Sequence, residues 1–190
     1  MGQYGRKTFF FVTDKRTVGQ GTAEFEWFSG FSASQKQKSI AAMHESIRER
    51  GYNPLEISTK SPVPLGRKLS AFNLCLNGHP LECVFQSSKV FEHGGPYTDI
   101  LDKTPKEAKR DERLRSSGKL VAFHCDGRDF PIVPQTFFYD LIYALAVDES
   151  LTPEEKEELK QYNAFTDIEF NPKRSINTQA KSCAIVRSKL

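Results

Sequence analysis

The chain holds one tryptophan, two methionines and four cysteines in 190 residues. No two of the cysteines (Cys75, Cys83, Cys125, Cys183) stand in a CxxC or CxxxC spacing. This argues against a zinc knuckle, and with no signal-peptide pattern at the start the thiols read as reduced in a cytoplasmic protein. No apolar run approaches the ~18 residues that a membrane span needs, so no membrane partner is expected. The four histidines (His44, His79, His93, His124) have neither metal-ligand spacing nor helical pairing with an acid, so neither a metal nor a histidine triad is expected. Walker A and GxGxxG patterns are missing, which leaves kinases and dinucleotide oxidoreductases without support, and no cofactor is expected. Repeats, low-complexity tracts and long linkers are also lacking.

What is present suits one globular domain spanning 1–190. A chain of this length buries about 70% of its unfolded surface and needs no staple. Fifteen Phe and six Tyr within a 38% hydrophobic composition supply a core. The net charge of +3 is mild but uneven. Lys103 to Lys119 carries seven basic and three acidic residues, 7 − 3 = +4, whereas Asp148 to Lys160 carries two basic and six acidic, 2 − 6 = −4. The basic stretch suits phosphates or, equally, a solvated helix face. The acidic one reads as a solvated helix.

Local signals order the elements. Lys7 to Val12 and Glu24 to Phe28 read as strands. Ser32 with Gln35 resembles a capping box, and Ile40, Met43 and Ile47 line one stripe of a helix over Ser34–Arg50 that stops at Gly51. His44 beside that stripe reads as structural. Leu55–Thr59 reads as extended, and Ser61–Gly66 as a rigid proline-rich loop. A helix is expected to follow Pro80 and run to about Glu92, closed by His93-Gly94-Gly95-Pro96. Thr104-Pro105-x-Glu107 and Thr152-Pro153-x-Glu155 each open a further helix. Lys119–Ile132 reads as a hairpin turning at Asp126-Gly127. Pro134–Val147 reads as an apolar helix and Thr178–Ser188 as a last one. The expected fold class is a helix-rich α+β domain.

Chemistry concentrates in Leu81-Glu82-Cys83-Val84-Phe85-Gln86-Ser87-Ser88-Lys89. On a helix at ~100° per residue, Glu82, Gln86 and Lys89 return to one face beside Phe85. An acid, an amide, an amine and a ring within two turns can grip and cleave a polar ligand. Taken alone, the same spacing also fits a solvated face.

Around that face the chain resembles the NADAR (YbiA-like) superfamily. That family's hallmarks are an aromatic-aromatic-Ser, a Ser-Asn-Phe element, a Glu-x-x-Phe-Gln-x-x-Lys helix, an Asp-x-x-aromatic stretch and an Asn-x-x-small helix start. Their counterparts here are Trp27-Phe28-Ser29, Leu69-Ser70-Ala71-Phe72, Glu82 to Lys89, Asp167 to Phe170, and Asn177 to Ala180. Two positions depart. Ala71 replaces the usual asparagine, for which Asn73 is the nearest substitute. The Asp-x-x-Trp-Gly of the bacterial riboflavin-pathway members is Asp167-Ile-Glu-Phe170-Asn171. In contrast, Trp27-Phe-Ser-Gly-Phe-Ser-x-Ser-Gln-Lys-Gln-Lys-Ser39, Leu55-Glu-Ile-Ser-Thr-Lys60, Glu107-Ala-Lys-Arg-Asp111 and Phe138-Tyr-Asp140 resemble the branch that accompanies DarT toxins.

The resemblance implies a YbiA-like fold and an enzyme that removes ADP-ribose from guanine bases in single-stranded DNA, with RNA as the alternative strand. Its product would be ADP-ribose, and its functional counterpart a DarT-like toxin whose modification it reverses. Glu82 would stabilise the oxocarbenium-like sugar or shuttle a proton. Its other reading is a helix-start glutamate favoured by the macrodipole. Lys89 would form a Schiff base if neutral or hold phosphate if protonated; its other reading is a surface lysine. Gln86 would bind ribose hydroxyls. Trp27, Phe28 and Phe72 would stack on bases, although aromatics are more often core. Asp167 would orient sugar or water, unless it only caps a turn. Ser29, Asn73, Phe170 and Asn177 complete the motifs, and Lys109 and Arg110 offer charge for phosphate. Two rivals stand beside this reading. A riboflavin-type N-glycosidase acting on a phosphorylated metabolite is disfavoured by the altered Asp167–Asn171 stretch. A non-catalytic ADP-ribose- or toxin-binding module is disfavoured by the presence of both Glu82 and Lys89.

Overall fold

A computed structural model describes residues 2–190. By their contacts these residues form two compact units. The first takes the described residues up to Ser70 together with Leu151–Leu190, and the second is Ala71–Ser150.

The first unit is built on a four-stranded sheet. Strands β1 (Gln3–Val12) and β2 (Val18–Trp27) form a long antiparallel hairpin, longer at both ends than the apolar runs suggest. Strand β9 (Ala164–Thr166) pairs antiparallel with β1 and parallel with β3 (Pro54–Glu56), giving the order β2-β1-β9-β3. Helix α1 (Ala33–Arg48) lays Ile40, Met43 and Ile47 on Phe9, Ala23 and Phe25. Ser32 Oγ caps it by accepting from the Gln35 N–H at 3.3 Å. Side chains alternate along a strand, so Phe10 and its partner Phe165 point to the opposite face. There α8 (Gln179–Lys189) packs on β1 and β9. Helix α7 (Pro153–Lys160) opens with the full reciprocal box between Thr152 and Glu155.

The Ser61–Gly66 stretch is not wholly a loop, because α2 (Pro64–Lys68) begins inside it with proline at its first position. Gly66 is required there. A Cβ on it would overlap the Glu56 carbonyl oxygen and Ser61 Oγ.

The second unit centres on α3 (Leu81–Ser87), every residue of which is buried. Strands β4 (Cys75–Leu76) and β5 (His79–Pro80) form a two-stranded ladder before it. Strand β6 (Lys89–Phe91) follows α3 and joins β7 (Leu120–Cys125) and β8 (Arg128–Phe130) in a three-stranded sheet. The β7–β8 hairpin turns at Asp126-Gly127, both with positive φ of 51° and 73°, as the Asp-Gly signal requires. After a 3₁₀ turn (Thr98–Asp102), α4 (Pro105–Arg110) carries the Thr104–Glu107 box, and α5 (Arg113–Ser116) is a single turn. Helix α6 (Phe137–Ser150) starts three residues later than Pro134 and sets Phe138 against Phe123 and Phe130, with ring centroids 4.4 and 5.2 Å apart.

The largest correction concerns α3, which stops at Ser87 instead of Glu92. Residues Lys89–Phe91 leave the helix because β7 offers ladder pairs, Lys89 to Phe123 and Val90 to Ala122. The His93–Pro96 stretch therefore closes a strand. Gly95 has φ of 90°, and a Cβ there would overlap the Lys89 carbonyl.

Candidate functional site

In the second unit, α3 presents Glu82 and Gln86 one turn apart, and both are almost fully buried at 7% and 6% exposure. Gln86 Nε2 donates to Glu82 Oε1 at 2.9 Å. A carboxylate only accepts, so this bond orients the amide and turns Gln86 Oε1 the other way. That oxygen is buried without a hydrogen-bond partner. A buried acceptor left unmade costs ~1–3 kcal/mol, which makes it a ready receptor for a ligand hydroxyl or N–H. The Glu82 N–H donates to Ala71 O at 2.9 Å, tying the start of α3 to the Ser70-Ala71-Phe72 element.

Lys89 joins this pair from a strand, not from the helix. Its cross-strand partner Phe123 stacks on Phe85 at 5.7 Å, and Lys89 Nζ lies over the same Phe85 ring at 4.7 Å. Burial lowers the Lys89 pKa from the usual lysine value; the Glu82 charge opposes that and the Lys109 charge adds to it. Lys109 Nζ in turn lies 5.9 Å from the Phe72 ring. Glu82, Gln86, Lys89, Phe72 and Lys109 thus belong to one neighbourhood. Asn73 and Arg110 are exposed. Arg110 lines a charged depression with Lys103, Lys106 and Glu107.

The first unit gathers the remaining expected residues. Trp27 is half-buried at the end of β2, with Lys36 Nζ 5.1 Å and Lys7 Nζ 5.9 Å from its ring. Phe28 is held by Ser39 Oγ, which accepts from its N–H at 2.9 Å and donates to its carbonyl at 3.3 Å. Ser29 is exposed and donates to Gln3 Oε1 at 2.9 Å. Lys7 Nζ donates to the Phe170 carbonyl at 2.7 Å. Asp167 accepts from Gln179 Nε2 at 2.9 Å and from the Glu169 N–H at 3.0 Å. Asn177 Oδ1 and Thr178 Oγ1 are both buried without partners just ahead of α8.

Beneath Asp167 lies a group that sequence reasoning missed. Glu56 on β3 is buried, with Oε2 accepting from Thr166 Oγ1 at 2.5 Å and Oε1 from the Ile168 N–H at 2.7 Å. His44 Nε2 bonds Thr166 Oγ1 at 2.8 Å. Burial and the neighbouring Asp167 push the Glu56 carboxyl up to about 7. Burial likewise pushes Asp167 up to about 6, and it pushes His44 down to about 3, keeping that ring neutral. Thr166 has one proton. If it donates to ionised Glu56, neutral His44 must donate its Nε2–H to Thr166. The sequence signals for Glu56 are its place in the Leu55–Lys60 stretch of the resemblance and a carboxylate inside an otherwise apolar strand.

Among the described residues, no group of three His, Cys, Asp or Glu side chains is arranged to hold a metal ion. Among the described residues no helix is long and apolar enough to cross a membrane. No curated protein matches the chain. A family model described as DarT1-associated NADAR antitoxin matches residues 5–189. That span takes in every motif from Trp27 to Ala180, so the chain belongs to this family, and membership supports a role as an antitoxin that counteracts a DarT toxin.

Proposed function

We propose that the protein is an ADP-ribosyl glycohydrolase that removes ADP-ribose from guanine bases in single-stranded DNA, reversing the modification made by a DarT-type toxin. The observation that carries this reading is the buried Glu82–Gln86 pair, with an unpartnered Gln86 Oε1, beside a desolvated Lys89.

The chemistry follows from those groups. Breaking a ribosyl–nitrogen bond builds positive charge at the sugar C1, which the Glu82 carboxylate stabilises in a site where water screens it little. Gln86 Oε1 accepts a hydrogen bond from a ribose hydroxyl. As the sugar ring opens, the C1–O4′ bond breaks, its electron pair goes to the ring oxygen, which takes a proton from solvent, and the base nitrogen shares its lone pair with C1. The neutral Lys89 amine bonds C1, and the base departs with one of the amine protons. Water then adds to the resulting protonated Schiff base, releasing ADP-ribose, restoring the neutral amine and returning one proton to solvent. Burial supports this role for Lys89, because an amine kept protonated cannot attack.

The test is incubation of guanine-ADP-ribosylated single-stranded DNA with wild type, Glu82→Gln and Lys89→Ala, following released ADP-ribose. Wild type is expected to clear the mark and both variants to leave it. Folded variants that match wild type would overturn the site. Neutralisation of a DarT toxin in cells with the mark still attached would favour a binding antitoxin, and turnover of only a small phosphorylated metabolite would favour the riboflavin-type reading.

A further inference from the structure

Phe31 is 97% exposed, on a loop that is otherwise tied down. Phe28 on one side is clamped to Ser39, Ser29 bonds Gln3, and Ser32 caps α1. A ring presented on a held backbone costs little further entropy on binding, unlike one on a loose loop. Beside it in sequence, Trp27 is half-buried under two ammonium groups, those of Lys36 and Lys7. From Trp27 to His44 the only charged side chains are Lys36 and Lys38. Neither lysine makes an ion pair among the described residues, so their charge is available to an anion. Aromatic faces interleaved with unpaired lysines match the alternation of bases and phosphates along an unpaired strand. In a duplex the base faces are covered by their neighbours, so such rings have nothing to stack on.

We infer that Trp27, Phe31 and Lys36 form a platform that grips unmodified single-stranded DNA, with Phe31 stacking on a base and Lys36 meeting the backbone. The inference rests on the reading of the substrate as a modified DNA strand and adds how that strand is held. Phe31 serves no packing role, so its removal tests the platform without unfolding the chain.

The experiment is fluorescence anisotropy of the full chain with a labelled, unmodified oligonucleotide of about twelve deoxynucleotides, across a salt series. Wild type should bind with an affinity that falls as salt rises. Phe31→Ser and Lys36→Gln should each weaken binding by about tenfold, the size expected of one stacked base. Phe31→Ser should keep the wild-type melting temperature. Unchanged affinity in Phe31→Ser, or equal affinity for a duplex of the same sequence, overturns the platform. The two readings fail separately. Wild type that binds the strand but leaves ADP-ribose attached overturns the glycohydrolase and leaves the platform. Release from a long strand by Phe31→Ser with unchanged KM overturns the platform alone.

Discussion

Gln86 Nε2 and Glu82 Oε1 are joined at 2.9 Å across one turn of α3, and the bond leaves the amide oxygen, not its nitrogen, for the ligand. If this pair serves the proposed reaction, its two members differ in what they do. Glu82→Gln should lower single-turnover release of ADP-ribose by about 10²–10⁴-fold, the usual loss for a removed acid–base group. Gln86→Leu should mainly raise KM, because it removes a binding acceptor and a brace. Circular dichroism melts of both proteins check that the fold is kept.

Lys89 supplies a test in pH. Burial lowers its pKa, Glu82 opposes the shift, and Lys109 reinforces it. The neutral fraction grows as pH rises through that lowered value. Release rate and borohydride trapping should therefore climb with pH, with a midpoint below the ordinary lysine value of about 10.4. Replacing Lys109 by Glu removes one positive neighbour and adds a negative one, so the profile should move to higher pH. Lys89→Arg keeps the charge and should abolish trapping. An adduct in Lys89→Arg mapped to another residue would remove Lys89 from the reaction.

Glu56 ties stability to pH. Its carboxyl is raised to about 7 in the folded chain from 4.5, so the folded state holds a proton that the unfolded state has lost. That contribution is full below the unfolded value and is lost as pH rises through the folded one. Because neutral His44 contributes the opposite trend below about pH 6.5, the Glu56 part is read from the stability of wild type relative to Glu56→Gln in urea, which should fall between about pH 5 and pH 8 by an amount on the order of 1–3 kcal/mol. Glu56→Gln, which is always neutral, should lack this loss and keep only the opposing contributions of Asp167 and His44. An unaltered slope in the variant would sink the assignment.

Gly66→Ala should destabilise the first unit. The added methyl meets a backbone carbonyl, that of Glu56, as well as Ser61 Oγ, and neither belongs to a flexible side-chain tip. Overpacking of this kind costs about 1–3 kcal/mol, or several degrees in melting temperature. Gly51→Ala makes a useful comparison. It has open space around it but a φ of 88°, so it reports strain without collision.

Much of the framework was readable because its causes are local. Thr104 with Glu107 and Thr152 with Glu155 close their boxes within four residues. Asp126-Gly127 makes its own turn, and α1 follows its apolar stripe. The end of α3 was not readable. Nothing between Ser87 and Glu92 breaks a helix, and the partner that draws Lys89 into a strand lies on β7, more than thirty residues away. The site divides along the same line. Glu82 and Gln86 are neighbours through helical spacing, as expected, whereas Lys89 reaches them through the sheet. Glu56 lies in the Leu55–Lys60 stretch of the resemblance, but no role could be read for it there, because its partners Thr166 and Ile168 are over a hundred residues distant. Ser39 ends one of the stretches of the resemblance, but only the folded corner at Phe28 reveals its two bonds.

The change from helix to strand between Gln86 and Lys89 also sets how this segment tolerates length variation. Within a helix, one added residue turns the following side chains by ~100°, and a neighbouring position can often recover the lost direction. Past Ser88 the repeat is two, so one added residue would reverse which of Lys89 and Val90 faces Phe85. Substitutions along this segment can be gradual in effect, but an insertion or deletion of one residue acts as a frameshift in space, turning the amine to the far side of the sheet while leaving every residue of the motif in the gene.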